Sequence, residues 1–62
     1  MGAYPYHYMR LTQDIEDTEL KKDDIVMVIR EYKYDALIQY VNEKNDIRSG
    51  WILKEFLKPL VQ

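Results

Sequence analysis

Between Asp14 and Asp24 the chain carries six carboxylates, Asp14, Glu16, Asp17, Glu19, Asp23 and Asp24, against two lysines. Carboxylates at that density can hold a metal, act as acid and base, or grip a cation. A calcium loop needs carboxylates at alternating positions and a glycine for its sharp turn, and this segment has neither. His7 is the only histidine and cysteine is absent, so thiol catalysis, cysteine-ligated zinc and disulfides are excluded. No Ser-His-Asp set, phosphate-cradling glycine loop or paired acid and base stands in a setting that could exclude water. The expectation is therefore no metal, no cofactor and no enzyme. What remains for Asp14, Glu16 and Asp17 is the steering of a basic partner, or the bland role of a solvated hairpin that keeps a sheet edge soluble.

The aromatic residues point the same way. Trp51 is the only tryptophan, beside six tyrosines in 62 residues. Tryptophan is enriched at interface hot spots, so Trp51 is a candidate platform for a ligand; the competing explanation is a side chain packed on its neighbours at a barrel edge. Tyr32 and Tyr34 fall in a loop, which favours contact with a partner. Tyr40 falls in a strand, where cross-strand packing is the usual explanation.

These residues need a scaffold, and 62 residues allow one domain with one thin core. A content of 47% hydrophobic and 32% charged residues suits a globular domain. The formal charge of −2 lacks the basic field of a nucleic-acid binder. The longest apolar run, Ile25 to Ile29, is far short of the roughly 20 residues of a membrane span. No signal peptide opens the chain, and Tyr6 stands where a myristoylation motif needs Ser or Thr. Neither nucleic acid nor membrane is expected as a partner, and a cytoplasmic location is the default. A chain of this size opening on Met1-Gly2 is also what a domain excised from a larger protein looks like.

Ile25 to Ile29 holds a dense β-branched cluster and reads as the central strand. Tyr32 to Asp35 reads as a loop. Ala36 to Val41 follows as a strand with Ala36, Ile38 and Tyr40 on one face. Asn42 to Asp46 carries hairpin-turn residues, and another strand runs from Ile47 through Gly50, Trp51 and Ile52. A 3₁₀ turn over Leu53 to Glu55 and a last strand over Phe56 to Leu60 complete the chain; Pro59 places that strand on a sheet edge. The first twenty residues are ambiguous: Tyr6 and Tyr8 compete with Met9 and Leu11 for the inward face, and 12–19 reads as an acidic hairpin around Ile15. Ile25, Ile29, Tyr32, Ala36 and Tyr40 also fit helical spacing, but the β-branched cluster and the turn at 42–46 favour strands. Gly50 marks a position that needs positive φ or a close backbone approach.

Short strands separated by regular turns predict a small all-β barrel. Within that frame Leu20-Lys21-Lys22-Asp23-Asp24-Ile25-Val26 resembles the Phe-Lys-Lys-Gly-Asp diverging turn of Src homology 3 (SH3) domains. Gly50-Trp51-Ile52-Leu53-Lys54-Glu55-Phe56-Leu57 resembles their closing Gly-aromatic-Ile/Val-Pro-Ser-Asn-Tyr-Val. The resemblance spans about Tyr6 to Leu60 and implies a five-stranded SH3-like barrel as a single domain over 1–62. Leu20, Val26, Val28, Ile52 and Leu57 would fill its core.

The resemblance also implies a function: docking of an extended proline-rich peptide on an aromatic ridge, with an acidic hairpin gripping a flanking Arg or Lys. An ungapped count back from Leu20 gives Tyr8 the place of the first groove tyrosine, Arg10 the place of the second, and Asp17 that of the cation-binding carboxylate. No tryptophan stands between Lys33 and Leu37, where the groove pair would lie; Tyr34 alone offers a ring there. Leu53 replaces the groove proline and Phe56 the closing tyrosine. A missing platform ring and a missing hydroxyl weaken ordinary proline-peptide binding, so an atypical specificity is expected. Some family members with Phe at the closing position bind ubiquitin, which adds ubiquitin to the candidate partners. The expected peptide- or protein-binding face comprises Tyr8, Tyr34, Trp51, Leu53 and Phe56, with Asp17 and its neighbours Asp14 and Glu16. The alternative is a structural barrel that mediates oligomer or intramolecular domain contacts and has no peptide ligand. A concentration-dependent mass shift without any partner would favour that second role.

Overall fold

The computed structural model describes residues 5–60. It is all-β, as expected, with five antiparallel strands in a single sheet: β1 (His7–Leu11), β2 (Ile25–Glu31), β3 (Asp35–Val41), β4 (Ile47–Leu53) and β5 (Leu57–Pro59). The strand order β4-β3-β2-β1-β5 is that of a small SH3-like barrel, with β2 in the centre and β5 at one edge. A 3₁₀ turn, Lys54–Phe56, joins β4 to β5. It begins one residue later than expected, and β5 is correspondingly shorter.

One face of the sheet is buried and sets the register. Leu11, Leu20, Val26, Val28, Ala36 and Ile38 form the core, with Met9, Ile15, Tyr40, Ile52 and Leu57 packed against it. Alternation along β1 therefore sends Met9 and Leu11 inward and Tyr8 and Arg10 outward, which decides the ambiguity at the start of the chain. Ile52 and Leu57, expected in the core, are only half-buried and line its margin.

β2 pairs with β3 in register up to Val28↔Ile38 and resumes at Arg30↔Leu37, so Ile29 is an extra residue on β2. Such a bulge bends its strand and increases the local twist, as a sheet of this size needs in order to close on itself. It also turns Arg30 outward, in the same cross-strand row as Leu37 and Trp51.

Three turns use left-handed backbone without glycine: Asp17 (φ 64°), Asp23 (φ 75°) and Asn45 (φ 69°). Asp and Asn tolerate that region better than other side chains because their short polar groups bond locally. Beside Asp23, Asp24 Oδ2 accepts the Lys21 N–H at 2.9 Å, and the Asp24 N–H donates to Lys21 O at 3.0 Å. In the β3–β4 hairpin Asn42 Oδ1 accepts the N–H groups of Lys44 and Asp46, both at 2.9 Å.

Gly50 corrects an expectation. Its φ is not positive, and a Cβ added there would meet nothing within 4 Å, so neither backbone strain nor crowding within the chain requires glycine. Glycine inside a strand costs roughly 0.5–1 kcal/mol relative to alanine. Gly50→Ala is expected to leave the fold intact and to raise stability by up to about 1 kcal/mol, measured by urea denaturation of dilute protein.

Candidate interaction surface

The outer face of β3 and β4 carries the most prominent exposed aromatic group. Trp51, opposite Leu37 on β3, is 54% exposed. Its indole lies against Tyr32, with ring centroids 5.3 Å apart and planes tilted by 41°, within the range of a favourable aromatic pair. Leu53, 43% exposed, lies on the same face of β4 as Trp51, and Tyr34, 68% exposed, stands in the loop opposite the end of that strand.

The turn that presents the tyrosines is held from both ends. The Tyr32 N–H donates to Asp35 O at 2.8 Å, and the Lys54 N–H donates to Tyr34 O at 2.7 Å. Lys54 Nζ donates to Tyr32 O at 3.0 Å and pairs with Glu31 at 3.6 Å. Lys54 thus staples the 3₁₀ turn to the tyrosine loop through main chain and side chain together. The Tyr32–Trp51 shelf is preorganised, which lowers the ordering cost of binding.

Its rim is cationic. Arg30 Nη1 donates to the Tyr32 hydroxyl oxygen at 3.4 Å. That hydrogen bond raises the guanidinium pKa above its ordinary value, and Arg30, like any arginine, is charged throughout the accessible pH range. Lys33 Nζ sits 5.4 Å from the centre of the Tyr34 ring, within cation–π range.

The acidic hairpin divides into structural and free carboxylates. Asp14 Oδ1 accepts the Lys22 N–H at 2.9 Å and closes the hairpin base. Asp23 pairs with Lys58 at 3.6 Å, and Asp24 caps its own turn. Glu16, Asp17 and Glu19 are exposed at the tip, with no side-chain partner among the described residues.

Two other expected contacts lie elsewhere. Tyr8 is outward on β1, with β2 and β3 between it and Trp51. It lines a shallow cleft of about 340 Å³ with Ile25, Met27, Gln39, Val41 and Ile47. With Leu11 and Met9 turned to the core, Tyr8 faces outward on β1, two strands away from β4 and its Trp51. Phe56 is half-buried in the 3₁₀ turn, where its carbonyl accepts the Thr12 N–H at 2.8 Å and anchors the hairpin base. Trp51 and Leu53 share one face of β4, and the Tyr34 carbonyl accepts the N–H of Lys54, the residue after Leu53. Tyr32 and Arg30 complete the shelf. Position in the loop marked Tyr32, whereas Arg30 depends on the Ile29 bulge, which the sequence does not signal.

Among the described residues no side-chain polar or charged group is buried, no cluster of acidic or histidine residues could hold a metal ion, and no helix is long and apolar enough to cross a membrane. No family model, curated protein or solved structure matches this chain.

Proposed function

We propose that this chain is a non-catalytic interaction module of SH3 type. It takes a peptide or protein segment on the shelf of Tyr32, Tyr34, Trp51 and Leu53, with atypical specificity in place of the standard proline motif. The observation that carries this reading is the exposed Tyr32–Trp51 ring pair on a turn already fixed by Lys54. Large aromatic side chains held rigid at a surface offer contact area at little entropic cost. Glu16 and Asp17 supply the flanking negative charge for a basic residue of the partner, while Arg30 and Lys33 favour an acceptor or carboxylate next to the ring pair.

Trp51 is its own reporter, being the only tryptophan. Titration with an arginine-flanked proline-rich peptide and, separately, with ubiquitin should shift its emission to shorter wavelength as the indole is covered. Unchanged emission and no binding heat with either class would remove the proposal. Steering has a separate test in Asp17→Asn, because asparagine keeps the left-handed turn. The variant is expected to bind about threefold more weakly at low ionic strength and to converge on the parent near 0.5 M salt, where screening falls below about 5 Å. An equal loss at both salt levels would assign Asp17 a different role.

A further inference from the structure

The two edges of the sheet are treated very differently. β5 spans three residues, Leu57–Pro59, and carries Lys58 and Pro59, both devices that discourage strand addition. β4 spans seven residues, Ile47–Leu53, without proline, lysine or bulge, and Arg48 is its one charged residue. No described strand lies beyond it. We propose that β4 pairs antiparallel with β4 of a second copy of this chain, about a two-fold axis at Gly50.

The backbone supports this register. The Asn42 N–H donates to Asp46 O and the Lys54 N–H donates to Tyr34 O, and the β3–β4 register has no shift between them. Even-numbered residues of β4 therefore direct their backbone groups to β3, and by alternation Ile47, Ser49, Trp51 and Leu53 direct theirs to the open edge. With Gly50 facing its own copy, Ile47 meets Leu53 of the second copy and Ser49 meets Trp51, each pair exchanging both hydrogen bonds.

The side chains select the same register. At either end of the pairing Asp46 comes opposite Lys54 of the second copy, giving two opposite-charge pairs related by the axis. Ile47, 70% exposed, covers Leu53. Moving the axis one residue to Trp51 would set Arg48 against Lys54, and moving it to Ser49 would set Lys44 against Lys54; both place like charges opposite each other. Gly50 falls at the close, non-hydrogen-bonded pair on the axis, and no atom of its own chain approaches the space its side chain would take. Pairing uses the backbone of β4 and covers Leu53, whereas partner docking centres on the Tyr32–Trp51 ring pair; self-association without any partner and partner binding by dilute protein are therefore separate measurements.

The test is sedimentation equilibrium from micromolar to millimolar protein, together with amide exchange. The mass should rise from 7.5 kDa toward twice that value. Exchange at Ser49 and Trp51 should slow with concentration, while amides directed to β3 stay protected throughout. Ser49→Pro removes an N–H that β3 does not use and should abolish the mass increase. Should that variant misfold, Asp46→Lys gives the second arm: it sets like charges opposite each other at both ends of the pairing and should lower association, and undiminished association overturns the proposal. A monomeric mass at millimolar concentration, or a dimer that forms equally well in folded Ser49→Pro, overturns the proposal.

Discussion

Ile38→Ala is expected to unfold a large part of the population at ambient temperature. Ile38 is 1% exposed, sits on β3 between Val28 on β2 and Gly50 on β4, and is among the largest fully buried side chains. Cutting it to alanine removes apolar contact and leaves a cavity, a change that costs about 2–5 kcal/mol. A domain of this size has about 3–9 kcal/mol in total, at 0.05–0.15 kcal/mol per residue. The midpoint of thermal unfolding should drop by roughly 10–30 °C. Circular dichroism melts of the variant and parent check this. A fall of only a degree or two would mean that the inward face is not the one assigned to Ala36 and Ile38, and the outward placement of Trp51 would go with it.

Trp51→Ala should show the opposite division of effects. The indole is half exposed on the outer face and its packing partner is Tyr32. Losing that ring contact costs about 0.5–1.5 kcal/mol, toward the lower end at an exposed site, so the melting midpoint should stay within a few degrees of the parent. Binding should fall by about 2 kcal/mol or more, at least thirtyfold, as when a hot-spot aromatic is truncated. Calorimetric titration of the variant beside its melt gives both numbers. A variant that unfolds while the remaining folded fraction still binds would make Trp51 a packing residue and vacate the shelf.

The parts of this fold that were legible in the sequence are those where local chemistry and burial agree. The β-branched residues from Ile25 onward give β2, the alternation of Ala36, Ile38 and Tyr40 gives β3 and its inward face, and Asn42 gives the turn whose two N–H groups its side chain accepts. Pro59 correctly places the last strand at an edge. What escaped depends on long-range pairing. Two alternations competed at Tyr8 and Met9, and only contact with Val26 and Pro59 decides between them. The bulge at Ile29 arises from the pairing of β2 with β3, and it alone puts Arg30 beside the shelf. The hydrogen bond by which the Asp14 carboxylate holds the Lys22 amide likewise depends on closure of the hairpin. The likeness of 20–26 and 50–57 to SH3 motifs agrees with the architecture of five antiparallel strands in one sheet; Trp51 was marked by being the lone tryptophan and not by that likeness.

The central claim is that a partner sits on the Tyr32–Trp51 shelf. Amide-shift mapping of the labelled domain during titration with the proline-rich peptide and with ubiquitin tests it most directly. The expected result is a continuous set of shifts at Tyr32, Lys33, Tyr34, Trp51 and Leu53, with weaker ones at Glu16 and Asp17. Shifts confined to Tyr8, Ile25, Met27 and Ile47 would locate the contact in the separate cleft those residues line and contradict it.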